Sequence, residues 1–95
     1  MEIKLSDLSQ ICTRLFFHLE EMGIQTIDVN EDFYWNIPKS ELYNPYQNPS
    51  ELDLGQLSDD WNELQKILSA QQEPYAYGLV YLAPILRLIG EKVIV

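Results

Sequence analysis

Residues 74–89 read PYAYGLVYLAPILRLI. Between Tyr75 and Ile89 the one charged residue is Arg87, so a helix here is apolar on nearly all sides. A helix of that kind is central in its domain or covered by a partner. Pro74 suits a first helical position and Gly90 suits the residue beyond the last turn, which predicts a helix from Pro74 to Ile89. Pro84 removes the hydrogen bond to the Val80 carbonyl and should bend it. A membrane span needs about 20 apolar residues, and Arg87, Glu91 and Lys92 interrupt the run before that. The main stripe is Tyr75, Leu79, Leu82, Leu86 and Ile89, expected to face the other helices. That leaves Tyr77, Tyr81 and Leu88 on the far side. An apolar patch above a few hundred Å² is unusual on a soluble monomer, so either another segment folds over this side or a second copy does. The sequence favours a homodimer with Tyr77, Tyr81 and Leu88 in its interface. The ending Lys92–Val95 is β-prone and free to pair with a strand.

Two more helices precede this one. Leu8, Ile11, Cys12, Leu15, Phe16, Leu19 and Met22 recur at helical spacing and predict a helix over Asp7–Met22, with Ser6 as N-cap. Gly23 reads as the left-handed residue that ends it, with Ile24 folding back onto Leu19. Leu54, Leu57, Trp61, Leu64 and Leu68 predict another helix over Leu54–Ser69. Asp53 and Gln56 form a capping box there, Leu52 and Leu57 a hydrophobic staple, and Ser58 offers a later start. Trp61, in mid-stripe, is expected to anchor the core.

Between these helices the period changes. Thr26–Val29 and Phe33–Ile37 alternate apolar and polar residues around Asn30-Glu31-Asp32, which predicts a short β-hairpin with Phe33, Trp35 and Ile37 facing inward. Pro38–Ser50, with Pro45 and Pro49, reads as an ordered loop whose aromatics dock on the core. The fold class is therefore mainly α: a single domain of three helices, with a short β-hairpin and an aromatic/proline loop between helices 1 and 2.

The chain has 95 residues, 46% of them apolar, and a net charge of −9. Eleven acids and one base, Lys39, fall between Glu20 and Glu63, so this stretch carries −10. Its acids alternate with apolar residues, as on the polar faces of folded elements. Summed over one side, they would steer a basic partner and repel nucleic acid. The single cysteine, Cys12, excludes an internal disulfide and fits a reducing compartment. Met1-Glu2-Ile3-Lys4 lacks the basic and apolar regions of a signal peptide. A cytoplasmic protein without membrane or nucleic-acid partners is expected.

No catalytic constellation emerges. Cys12 and His18 lie about 9 Å apart along one helix and 120° round it, too far for a nucleophile–base hydrogen bond. Asp28-Val29-Asn30-Glu31-Asp32 begins like a calcium loop, but Phe33 stands where its glycine belongs and Lys39 where its bidentate Glu belongs. Asp59, Asp60 and Glu63 sit close on one helix, where they favour its N-terminus. No cofactor is called for.

The richest feature is aromatic: Phe33, Tyr34, Trp35, Tyr43 and Tyr46, then Trp61 and Tyr75, Tyr77, Tyr81. Tyrosine and tryptophan give large contact area at low rotamer cost. The leading expectation is a non-catalytic interaction protein, of inhibitor, immunity or accessory type, that meets a basic protein through Glu31, Asp32, Tyr34, Tyr43, Tyr46, Asp59, Asp60 and Glu63. The alternatives are a small enzyme or ligand-binding domain using carboxylates near Trp35 and Trp61, and a homodimeric structural protein.

The runs Asp32-Phe33-Tyr34-Trp35-Asn36-Ile37-Pro38, Tyr43-Asn44-Pro45-Tyr46 and Gly55-Gln56-Leu57-Ser58-Asp59-Asp60-Trp61, with the late Leu88-Ile89-Gly90-Glu91-Lys92, resemble a small acidic bacterial family of unknown function. The likeness covers most of the chain after Gly23. It implies a compact, cytosolic bacterial domain and carries no activity or ligand with it.

Overall fold

The computed structural model describes residues 1–94. Among them are four helices and a two-stranded sheet, in the order α1 (Leu5–Glu21), β1 (Phe33–Asn36), α2 (Lys39–Leu42), β2 (Asp53–Gln56), α3 (Leu57–Leu68) and α4 (Gly78–Val93). The chain is mainly α with a small antiparallel sheet, as its periodicity implies. The helices number four rather than three, because one turn, α2, forms inside the expected loop. Pro38 starts that turn: its carbonyl accepts from the amides of Glu41 and Leu42.

α1 follows its apolar period closely. It begins at Leu5 after Lys4, so Ser6 lies inside the first turn and is not the N-cap. The far end has the expected form. Gly23 is left-handed at φ +80°, its amide donates to the Glu20 carbonyl, and the Ile24 amide donates to Leu19 at 3.0 Å.

The strand pairing differs from expectation. β1 pairs with β2, in the register Phe33 with Gln56, Tyr34 with Gly55, Trp35 with Leu54 and Asn36 with Asp53. Thr26–Val29 forms no strand. Residues 53–56 therefore leave the predicted helix, which starts at Leu57, and the Asp53/Gln56 capping box does not form. The facing of β1 is also reversed. Tyr34 turns inward, whereas Phe33 and Trp35 are exposed, a shift of one residue that exchanges the two faces.

α3 and α4 pack side by side, and glycine lets them approach. Gly78, the first residue of α4, is buried, and a Cβ there would stand 3.3 Å from Ile67 Cδ1. This close seat explains why α4 begins at Gly78 rather than Pro74: Tyr75–Tyr77 makes the turn that brings the helix onto α3. Gly90 does not end α4, which runs on to Val93 with Pro84 inside it. Lys92 and Val93 are thus helical rather than extended, and Val95 lies outside the described residues.

The core is thin. Among the described residues Leu57 is the buried large hydrophobe, at 5% exposure. Trp61 is half-exposed at 49%, so it is not the core anchor its stripe suggested. Leu79 of the expected inward α4 stripe is exposed, while Leu82, Leu86 and Ile89 are half-buried. Along α1, Leu8, Ile11, Leu15 and Phe16 are exposed, as is Phe17 off the stripe.

A candidate binding cleft

Two networks fix the region between the sheet and α3. The first centres on Tyr34. Gly55 opposite it has no side chain, so the Tyr34 ring lies across the strand; a Cβ at Gly55 would overlap the ring. The phenol thereby reaches α3 and donates to Asp60 Oδ2 at 2.7 Å. Asp60 is 8% exposed, a buried carboxylate whose donor comes from 26 residues away. Burial first, and the neighbouring Asp60 second, push the Tyr34 phenol well above its ordinary value.

The second network centres on Asp32. Its Oδ2 accepts from Gln56 Nε2 at 2.8 Å and its Oδ1 from the Ser58 amide at 2.9 Å, while its carbonyl accepts from the Leu57 amide. Asp32 thus caps α3 from a distant part of the chain, satisfying amides that no local side chain caps. The Gln56 donor first, then Ser58, lower the Asp32 carboxyl below its usual range. Next to it, Glu31 pairs with Lys92 of α4 at 3.1 Å.

Glu31 and Asp32, so fixed, end a segment, residues 24–32, that lines a cavity of about 1010 Å³. Its walls are Phe16 and Leu19 of α1, Ile24 and Ile27, Leu57 and Trp61 of α3, and Ile85, Leu88 and Ile89 of α4. Glu20, Glu31, Asp32, Asn30 and Ser58 supply its polar atoms. A second, shallower hollow of about 520 Å³ lies between Trp35, Tyr43, Leu79, Val80 and Pro84.

The residues singled out from sequence divide among these places. Glu31 and Asp32 border the cleft, but each is engaged, in an ion pair and in the α3 cap. Tyr34 and Asp60 are spent on each other. Glu63 pairs with Lys66 one turn on, at 2.9 Å, and Asp59 is exposed. Tyr43 and Tyr46 are 84% and 94% exposed, so the loop's tyrosines do not dock on the core as expected. The two tryptophans line different hollows, Trp61 the cleft and Trp35 the shallow one. Tyr77, Tyr81 and Leu88 do not share one far side. Leu88 lines the cleft, whereas Tyr81 is absent from its lining and meets Tyr77 edge-on at 5.1 Å. Partial desolvation, then Tyr75, raise the Tyr81 phenol.

Sequence reasoning gave Gln56, Ser58 and Ile24 helix-end roles, placed Ile27 in a strand and gave Gly55 no structural role, and it set none of them at the cleft. It also missed Glu41, which closes the aromatic loop. Glu41 accepts from the amide and hydroxyl of Ser50 and from the Glu51 amide at 3.4 Å, which lowers its carboxyl.

Among the described residues no cluster of three or more His, Cys, Asp or Glu could hold a metal, and no helix is long and apolar enough to cross a membrane. Comparison with protein-family models, with curated proteins and with solved structures gives no match to this chain.

Proposed function

We propose that the protein is a non-catalytic interaction module that presents an acidic, aromatic surface to a basic protein partner, as an inhibitor, immunity-type protein or accessory subunit would. The observation that carries this reading is the loop after α2. Tyr43 and Tyr46 stand in solvent at its start, while Glu41 and Ser50 tie its two ends together. Exposed tyrosines on a closed loop lose little entropy on docking, which favours binding over core cover. The chain's charge of −9 sets the sign of the partner. A small enzyme or ligand site using carboxylates near both tryptophans has less support, since Trp35 and Trp61 line separate hollows and Asp60 is bonded to Tyr34.

The test is affinity capture from the native cell at low salt, followed by titration of the purified partner. Replacing Tyr43 and Tyr46 together by alanine should weaken binding about tenfold or more, the loss of one hot-spot side chain or two. Binding should also weaken as salt rises from about 0.01 to about 0.15 M, because screening shortens the reach of exposed charge. An acidic partner, or an affinity indifferent to both tyrosines, overturns the reading.

A further inference from the structure

A folded monomer of 11.1 kDa exposes about 5,700 Å², yet this chain exposes 8466 Å², roughly 2,800 Å² more. Its radius of gyration is 15.3 Å, where about 12.4 Å is usual for 95 residues. Exposed apolar side chains contribute to it in every part of the chain. The surplus includes one stripe of α1, where Leu8, Ile11 and Leu15 have from just under half to three-fifths of their surface in solvent, and this stripe adjoins the cleft that Phe16 and Leu19 of the same helix help to line.

We infer that a second copy of this chain closes the cleft, the apolar stripe of α1 in each copy packing against the other's α1 and cleft wall. Three observations select this occupant. The surplus, about 5,600 Å² over two copies, is enough to supply the roughly 2,000–5,000 Å² or more that obligate homodimers bury. A small apolar ligand would cover the cavity walls but leave Leu8, Ile11 and Leu15 in water. Charge decides between a second copy and a basic protein. Two chains of −9 repel, so they can meet only where charge is absent, and the α1 stripe from Leu5 through Leu19 holds no charged residue. Of the acids that line the cleft, Glu31 is neutralised by Lys92 and Asp32 is committed to the α3 cap, which leaves the exposed Glu20, at the end of the α1 stripe, as the charge such a contact must keep in solvent. A contact that uses the same patch on both copies closes under two-fold symmetry. It also leaves the tyrosines of the 43–49 loop outside, so the reading above and this one stand or fall separately.

Sedimentation equilibrium of the full chain over about 1–100 µM tests it, the range in which moderate dimers dissociate. A two-chain mass is expected at the upper end, with dimerisation tightening several-fold as salt rises from about 0.01 to about 0.15 M, the opposite of binding to a basic protein. Leu15→Glu should give the mass of one chain throughout. A second readout does not depend on that variant folding. In Trp35→Phe, Trp61 is the remaining indole, and its emission should move to shorter wavelength as concentration rises. One-chain mass for the natural sequence throughout overturns the inference. So does a two-chain mass in folded Leu15→Glu, or dimerisation that leaves Trp61 emission unchanged. A blue shift produced by decanoic acid at one-chain mass also overturns it, and identifies the cleft as a lipid-chain site.

Discussion

Tyr34 and Asp60 show how one absent side chain positions two others. Because Gly55 lacks a Cβ, the Tyr34 ring crosses the strand and its hydroxyl meets a carboxylate that would otherwise be buried without a donor. Gly55→Ala is expected to displace the ring and cost about 1–3 kcal/mol, the usual penalty for overfilling a packed site. Tyr34→Phe should cost a similar 1–3 kcal/mol by leaving the buried Asp60 unpaired. Denaturant unfolding of both variants and of the double variant checks this: the two losses should be far from additive, since each breaks the same bond. The raised Tyr34 phenol also predicts an alkaline signature. The folded state favours its neutral form, so its contribution is whole below about pH 10, its ordinary value, and is lost as pH climbs through the higher folded value. In a spectrophotometric titration one tyrosine should ionise last, and Asp60→Asn should bring it forward.

At the level of elements, α3 is held at both ends by devices that single-element rules do not supply. Its N-terminus is capped by Asp32, whose carboxyl is lowered by that role. Stability from this cap is present above the ordinary aspartate value near 3.8 and is lost as pH falls through the lower folded value. Asp32→Ala should therefore lower the melting temperature by several degrees at neutral pH, and the difference should shrink as the natural chain is acidified below about pH 3.8 and its carboxylate takes up a proton. At the other end the αL position is occupied by Ala70 at φ +60°, with the Gln71 amide donating to Lys66 as in a glycine-terminated helix. Ala70→Gly should stabilise by about 0.5–1 kcal/mol, and Gly90→Ala, in the last turn of α4 with open space around it, by a similar amount. Thermal melts of the two variants test these signs. The same ends show what could be read from the sequence. The periods of α1, α3 and α4 were legible because each helix carries its own repeat, and Gly23 was legible because its cap is local. The strand at residues 53–56 was not. Asp53, Leu54 and Gln56 satisfy a helix start as well as a strand, and what decides between them is a tyrosine 21 residues earlier. Asp60 was unreadable as a buried residue for the same reason, and Tyr43 and Tyr46 because composition does not tell a packed aromatic from an exposed one.

For the whole molecule, cohesion is unequal. The β1–β2 sheet and the α3–α4 pair form one connected body, through Tyr34 to Asp60 and Glu31 to Lys92, whereas α1 turns an exposed apolar stripe outward. Amide exchange should follow this division. In dilute solution α1 is expected to exchange well before the centre of α3, and raising the protein concentration should slow α1 more than α3. Equal protection of the two helices at every concentration would contradict it. The clamp between Glu41 and Ser50 has a different consequence, one for engineering and for divergence. It fixes the distance between the ends of a short excursion whose side chains face solvent, and the sheet register is set elsewhere, by Tyr34 and Gly55. Residues 43–49 can therefore be rewritten or lengthened without disturbing the strands, each doubling of the loop costing about 0.6 kcal/mol in closure entropy. The fold thus carries a natural display site, a place where a foreign peptide can be grafted onto a constant frame.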